Sequence, residues 1–231
     1  MINLKGITPF AEGGNRLCFV HPDKPNRCLK VIHPGLLKKI KRNKSWYKRF
    51  RSLESFDDNL REQDAYNQKA LKKADPEIWL HLAKWYGMTE TNIGMASETE
   101  LIINDGEIAE TLESYLLREG ITDQIKLSIE EFQTWLKKHL ILTKNLIPHN
   151  LVIGQQDSKI VIKIIDGLGS QAFIPLPDYS SFFAKRTLLK QKYEKMIRER
   201  EDQIFINKGS HLSNEIARIF PLFQEETSAT R

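Results

Sequence analysis

An aspartate and an asparagine at the two ends of one short hairpin offer a hard divalent cation the oxygen ligands it takes. Residues 143–154 read TKNLIPHNLVIG, and after QQDS come the alternating segment KIVIKII and the loop DGLG. Strand, turn and strand is the reading, with polar residues at each end, and an antiparallel pair of this kind brings Asn150 and Asp166 close together. Carboxylate, amide oxygen, phosphate and water are the ligands of Mg²⁺ or Mn²⁺, which makes Asn150 and Asp166 candidate metal ligands. His-Asn and Asp-Gly are equally ordinary turn sequences, so the pair does not decide the matter alone.

A second group lies in the opening third. Lys30 stands inside the apolar run Cys28, Leu29, Lys30, Val31, Ile32, so its ammonium points either to water or into a cleft. Gly13 and Gly14 precede that strand in the same hairpin. A lysine so placed reaches nucleotide phosphates while a glycine-containing loop covers them. Glu62, on the helix that follows, is placed to hold the lysine by an ion pair. The plainer alternatives are a solvent-facing strand lysine and a solvent-facing helix acid.

The elements that must position these residues follow from periodicity and punctuation. Segments 17–20 and 27–32 read as strands around the Pro-rich turn His21-Pro22-Asp23-Lys24-Pro25-Asn26. Asp57 opens a helix expected to run to about Lys73, with Asp58 in its first turn, lysines in its last and Pro76 limiting it. Two or three strands are expected between Trp79 and Ile103, punctuated by Gly87 and Gly94. Helices are expected over 108–119, ended by Gly120, and over 128–142, with Ser128 and Glu131 as a capping box. Ile129, Phe132, Trp135, Leu136 and Leu140 give that last helix an apolar face.

Composition narrows the classes. The chain has 231 residues, 40% of them hydrophobic, enough for one compact domain or two small lobes around a cleft. No signal peptide and no membrane-length apolar run is read, which leads to the expectation of a soluble, cytoplasmic protein. Cys18 and Cys28 are too few for a disulfide framework and are read as reduced, buried thiols. The net charge of +5 is uneven: residues 36–51 hold eight basic residues and no acidic one, and a second basic stretch spans 181–200. Solvated helix faces are the plain reading of both, with peripheral contact to an anionic surface as the alternative. Nucleic acid ranks last as a partner, because +5 is modest and no RNA-binding signature is present.

Taken in order, a glycine loop, a strand lysine, a helix glutamate, a loop with asparagine, a strand and a loop with Asp-Gly resemble the protein-kinase fold. TKNLIPHN is similar to the kinase catalytic loop, with Thr143 at the usual histidine, Asn145 at the catalytic aspartate and Asn150 five residues on. DGLG is similar to the metal-binding loop, with Asp166 as ligand and Gly167 in place of the aromatic. The segments GGNRLCFVHPDKPNRCLKV, FDDNLREQDAY and IIDGLGSQAFIPL resemble more narrowly the YrbL family, small bacterial kinase-like proteins associated with the PhoP regulatory network.

The resemblance implies an α+β, two-lobed protein-kinase-like fold over 1–224, with a small β-rich N-lobe of about 1–104, a reduced helical C-lobe of about 105–224, and a tail at 225–231. It also implies ATP and Mg²⁺ or Mn²⁺ as ligands, with Gly13, Gly14, Lys30 and Glu62 toward the nucleotide, Asn150 and Asp166 toward the metal, and Asn145 and Asp166 at the catalytic positions. Departures qualify the chemistry. Asn145 cannot accept a proton as the aspartate does, Ile147 stands where many kinases have lysine, Ala11 and Arg16 replace loop glycines, and no Ala-Pro-Glu segment follows Asp166. An atypical phosphotransferase acting on an unassigned acceptor is the leading expectation. A non-catalytic pseudokinase-type module working through a partner is the alternative, and anionic-ligand or nucleic-acid binding through the basic segments is the third. His149 is the one residue that offers itself as a stand-in base, though a plain loop histidine is the simpler reading.

Overall fold

The computed structural model describes residues 1–36, 57–72, 75–144, 146–157 and 159–169. The basic run over 36–51 beyond Leu36, Asn145, the basic stretch 181–200 and the tail 225–231 lie outside the described residues. The architecture is α+β, as expected, and divides into two compact units: Met1–Asn67 with Ala83–Ile108, and Gln68–Leu82 with the chain from Ala109 on.

The first unit is built on a five-stranded antiparallel sheet. Its strands are β1 (Ala11–Glu12), β2 (Arg16–His21), β3 (Lys24–Ile32), β4 (Trp85–Thr91) and β5 (Gly94–Glu100), in spatial order β1-β2-β3-β5-β4. Side chains alternate across a strand, and the register Leu17↔Val31, Cys18↔Lys30, Phe19↔Leu29 sorts them. Phe19, Leu29 and Val31 join Leu4 and Ala96 in one apolar cluster, with Leu17 packed against it. Cys18, Cys28 and Lys30 therefore take the other face, which helix α1 (Asp58–Tyr66) serves. A two-stranded ribbon, β6 (Ile103–Asn104) and β7 (Glu107–Ile108), completes the unit.

Several boundaries differ from the expected ones. The Pro-rich turn shrinks to Pro22–Asp23, because His21 pairs with Lys24 and the register shifts beside it. Pro25 sits in that irregular stretch, before the β5 ladder begins at Arg27, where a missing N–H costs no ladder bond. Asp57 does open α1, its carboxylate accepting from Asn59 N at 2.8 Å and Leu60 N at 3.3 Å. The helix stops at Tyr66 with no basic residue in its last turn, and Lys69–Lys72 form a separate 3₁₀ turn. Asn67 caps the helix, its N–H donating to Asp64 O at 3.0 Å. Trp79 belongs to a 3₁₀ turn, Pro76–Leu80, and not to a strand. Cys28 is buried, while Cys18 is only half-buried.

The second unit contains α2 (Leu112–Glu119), α3 (Asp123–His139) and the hairpin of β8 (Leu151–Gln156) and β9 (Lys159–Ile164). Thr111 caps α2, and Gly120 at φ 73° ends it. α3 begins five residues before the expected start. Thr122 accepts from Ile125 N at 3.2 Å and is the cap, so Ser128 is inside the helix. The Ser128 hydroxyl instead reaches β9, 2.8 Å from Ile160 O. The helix also ends earlier, at His139, with Leu140 in the left-handed region at φ 55°. Ile129, Phe132, Trp135 and Leu136 are buried as the apolar face predicts, joined by Ile125. Among the described residues, no helix is long and apolar enough to cross a membrane.

Candidate functional site

In the first unit, Lys30 and Glu62 meet. Lys30 Nζ donates to Glu62 Oε1 at 2.6 Å, and the two side chains are each 6% exposed. β3 fixes the lysine on the α1 face of the sheet, and α1 brings the glutamate over it one turn after its cap. The other carboxylate oxygen is taken by Arg16, whose Nη1 lies 2.7 Å from Glu62 Oε2. Arg16 also donates to Asn59 Oδ1 at 3.3 Å. Asn59 in turn donates from Nδ2 to Lys30 O at 2.9 Å and Met95 O at 3.2 Å, tying α1 to two adjacent strands. A buried ion pair holds when its remaining polar groups are hydrogen-bonded, and Asn59 supplies one such bond, to the Arg16 guanidinium.

Arg16 entered the sequence reading only as a departure from a glycine position, and Asn59 did not enter it at all. A signal for Asn59 was present: Asn59 and Glu62 are three apart, which puts both on one helix face. Arg16 leaves no such local mark, because its partners are 43 and 46 residues away.

Gly13 and Gly14 lie between β1 and β2. Neither has a positive φ, and a Cβ at Gly14 would meet nothing within 4 Å. The fold itself therefore does not require glycine at 14. The loop is nevertheless tied down. Gly13 N donates to Arg16 O at 2.9 Å, His33 Nε2 lies 3.1 Å from Gly13 O, and Asn15 Nδ2 donates to Asp58 Oδ2 at 2.6 Å.

In the second unit, Asn150 and Asp166 stand at the open end of the β8–β9 hairpin. Leu151 pairs with Ile164, and Ile165 N donates to Asn150 O at 3.0 Å. Asn150 closes a 3₁₀ turn, Pro148–Asn150, and is buried. Gly167 N donates to Asp166 Oδ1 at 2.7 Å, which fixes the carboxylate. Gly167 has φ 84°, a conformation that favours glycine over the aromatic of the kinase pattern.

The two loops are stitched together. Lys144 N donates to Gly167 O at 2.8 Å, Gly169 N donates to Leu142 O at 3.0 Å, and Thr143 bridges Leu168. Gln68, which the sequence reading passed over, holds this seam from the side. Its Oε1 accepts from Leu142 N at 2.7 Å, and its Nε2 reaches Leu142 O at 3.4 Å. His81 braces β9 in the same way: its Nδ1 lies 2.8 Å from Ile162 O, so that nitrogen carries the proton, and Ile164 N donates back to His81 O at 2.9 Å. Burial lowers the His81 pKa.

One carboxylate and one carboxamide, both oxygen donors on neighbouring loops, suit a hard cation such as Mg²⁺ or Mn²⁺. Ile147 and His149 are half-buried in the same loop. Asn145 lies outside the described residues, so its place in the arrangement rests on sequence order.

Residues 2–201 match the family described as PhoP regulatory network protein YrbL. The YrbL proteins of Escherichia coli (strain K12) and of Shigella flexneri are each 24% identical over 194 residues, 80% of this chain and 82% of theirs. Among solved structures, similarity is found to a mutant form of the Mycobacterium tuberculosis PknI kinase domain, at TM-score 0.40 and 14% identity over 76% of this chain. It is also found to Rad53 1-466 in complex with AMP-PNP, at TM-score 0.45 and 13% identity over 79% of this chain. The chain spans 64% of the PknI chain and 43% of the Rad53 chain, less than two thirds of either.

Proposed function

We propose that this chain, which belongs to the YrbL family, binds ATP with Mg²⁺ or Mn²⁺ and acts as an atypical phosphotransferase in the cytoplasm. The observation that carries this reading is the buried Lys30–Glu62 pair at 2.6 Å, a strand lysine held by a helix glutamate. A structural ion pair alone gains little from such burial, whereas a phosphate-binding lysine needs to be held in one place.

In this reading Lys30 contacts the nucleotide phosphates and Glu62 keeps its ammonium oriented. The loop at Gly13 and Gly14 covers the phosphates, and a residue without a side chain at 14 leaves room for close approach. Asn150 and Asp166 hold the metal, with Gly167 N fixing the Asp166 carboxylate. The bound metal supplies charge neutralisation at the phosphates.

Phosphoryl transfer passes through a loose transition state in which positioning and electrostatics dominate. Loss of the general base at Asn145 costs about 10²–10⁴ in rate and leaves a slow enzyme. The second reading, a pseudokinase-type module that binds nucleotide and works by contact with a partner, is favoured by Asn145 itself.

Incubation with γ-labelled ATP and Mg²⁺ separates the two. Slow release or transfer of label by wild type, abolished in Asp166→Ala, is the result for a phosphotransferase. Bound ATP that keeps its label establishes the non-catalytic module. No ATP bound in either protein overturns both.

A further inference from the structure

The end of α3 and the 3₁₀ turn Pro76–Leu80 bring together three side chains that the nucleotide reading does not use. Asp75 caps the turn, its Oδ1 accepting from Glu77 N at 3.0 Å. Trp135 Nε1 donates to Glu77 O at 2.9 Å, and its ring centroid lies 5.7 Å from that of His139. The turn and the helix end are thus pinned together by contacts that involve no ion.

On this frame, His139 Nδ1 lies 3.4 Å from Asp75 Oδ2, and His139 Nε2 lies 3.5 Å from Glu77 Oε2. One ligand atom from each of the three falls within 4.8 Å of the others. His139 is 5% exposed, and its Nε2 is buried without a hydrogen-bond partner. Buried polar atoms are seldom left so. The 3.5 Å approach of Glu77 Oε2 to Nε2 makes no hydrogen bond. An imidazole gives one nitrogen to an ion: Nε2, 3.5 Å from Glu77 Oε2, is close to the edge of a tetrahedron with metal–ligand bonds of about 2.0–2.2 Å, roughly 3.3–3.6 Å, and the Asp75 carboxylate lies within 4.8 Å to complete the set.

We propose that Asp75, Glu77 and His139 form a Zn²⁺ site. An imidazole with two carboxylates suits zinc and disfavours Mg²⁺, which takes oxygen ligands. Asp75 and Glu77 are 36% and 58% exposed, so an ion enters from the water side and keeps water as its fourth ligand. The Lys138 ammonium, paired with Glu77 Oε2, is the competitor the ion displaces. Once bound, zinc cross-links the turn to the last residue of α3 and stabilises the second unit.

The test is a Zn²⁺ titration of the chelator-stripped full chain against a chromophoric chelator, with circular dichroism to verify folding. Cysteines and five other histidines offer adventitious ligands, so the variants carry the decision. Asp75→Asn keeps the turn's cap, and Glu77→Gln changes an exposed side chain, so both should fold. One equivalent bound by wild type, weakened at least tenfold in each variant and tightened in Lys138→Ala, is the expected result. Absence of micromolar zinc binding in wild type, or unchanged affinity in the Asp75→Asn/Glu77→Gln double variant, overturns the site.

Discussion

Arg16 donates to Glu62 Oε2 at 2.7 Å, on the carboxylate oxygen opposite the one bound by Lys30. One buried acid thus serves two buried cations. Replacing Glu62 by alanine leaves a guanidinium and an ammonium close together out of water, and breaking a buried pair from one side costs about 3–5 kcal/mol. Urea unfolding of Glu62→Ala should show a loss of that size. Arg16→Ala should cost less, since it leaves the Lys30–Glu62 pair intact.

Gln68→Ala removes both the acceptor of Leu142 N and the donor to Leu142 O. Leu142 O keeps its bond from Gly169 N, so the buried group left without a partner is Leu142 N, at a cost of about 1–3 kcal/mol. Hydrogen exchange at Leu142 should quicken and the unfolding midpoint fall. Gln68→Glu, which retains the acceptor, should recover part of the protection at the Leu142 amide.

Two acid windows are expected. His81 has a lowered folded pKa, so below the unfolded value of about 6.5 the unfolded chain binds the proton first. Its contribution is complete above that pH and is lost as pH falls through the folded pKa. For Glu98, burial pushes the carboxyl up, but hydrogen bonds from Arg27 and Thr89 and the Lys24 charge outweigh it and hold the pKa low. That contribution is present above about pH 4.3 and is lost only at lower pH. Thermal midpoints from pH 7.5 to 5.5 should fall less steeply in His81→Asn than in wild type. Glu98→Gln should flatten only the slope below about pH 4.3.

A side chain at residue 14 meets open space. Gly14→Ala should therefore change unfolding stability by no more than about 0.5 kcal/mol while weakening ATP. Equal ATP affinity in both proteins would remove the loop from the nucleotide account.

The β2–β3 hairpin was legible because two apolar-rich segments flank a Pro-rich turn signal, although Cys28, Leu29, Lys30 and Val31 are all buried, and β9 was legible because KIVIKII alternates, with Ile162 and Ile164 buried. Asp57 was legible as a cap, since its acceptor chemistry is local. The start of α3 was not, because Thr122 and Ser128 carry the same hydroxyl and only the packing of Ile125 selects the earlier one. Lys30 and Glu62 could be paired through the order of parts. Gln68 with Leu142 and His81 with Ile162 could not, being 74 and 81 residues apart with no periodic signal joining them. Arg16 looked like an intruder among loop residues until its two partners on α1 were in view.

The central claim is that ATP and a metal bind through Lys30 and Asp166. Thermal unfolding of wild type and Asp166→Ala, each with and without ATP and Mg²⁺, tests it most directly. A ligand at about 100 times its dissociation constant stabilises by roughly 2.7 kcal/mol, a rise of about 5–10 °C for a chain of this size. That rise is expected in wild type only when ATP and Mg²⁺ are both present, and not in Asp166→Ala. Wild type that melts at the same temperature under every condition, or an equal rise in Asp166→Ala, contradicts it.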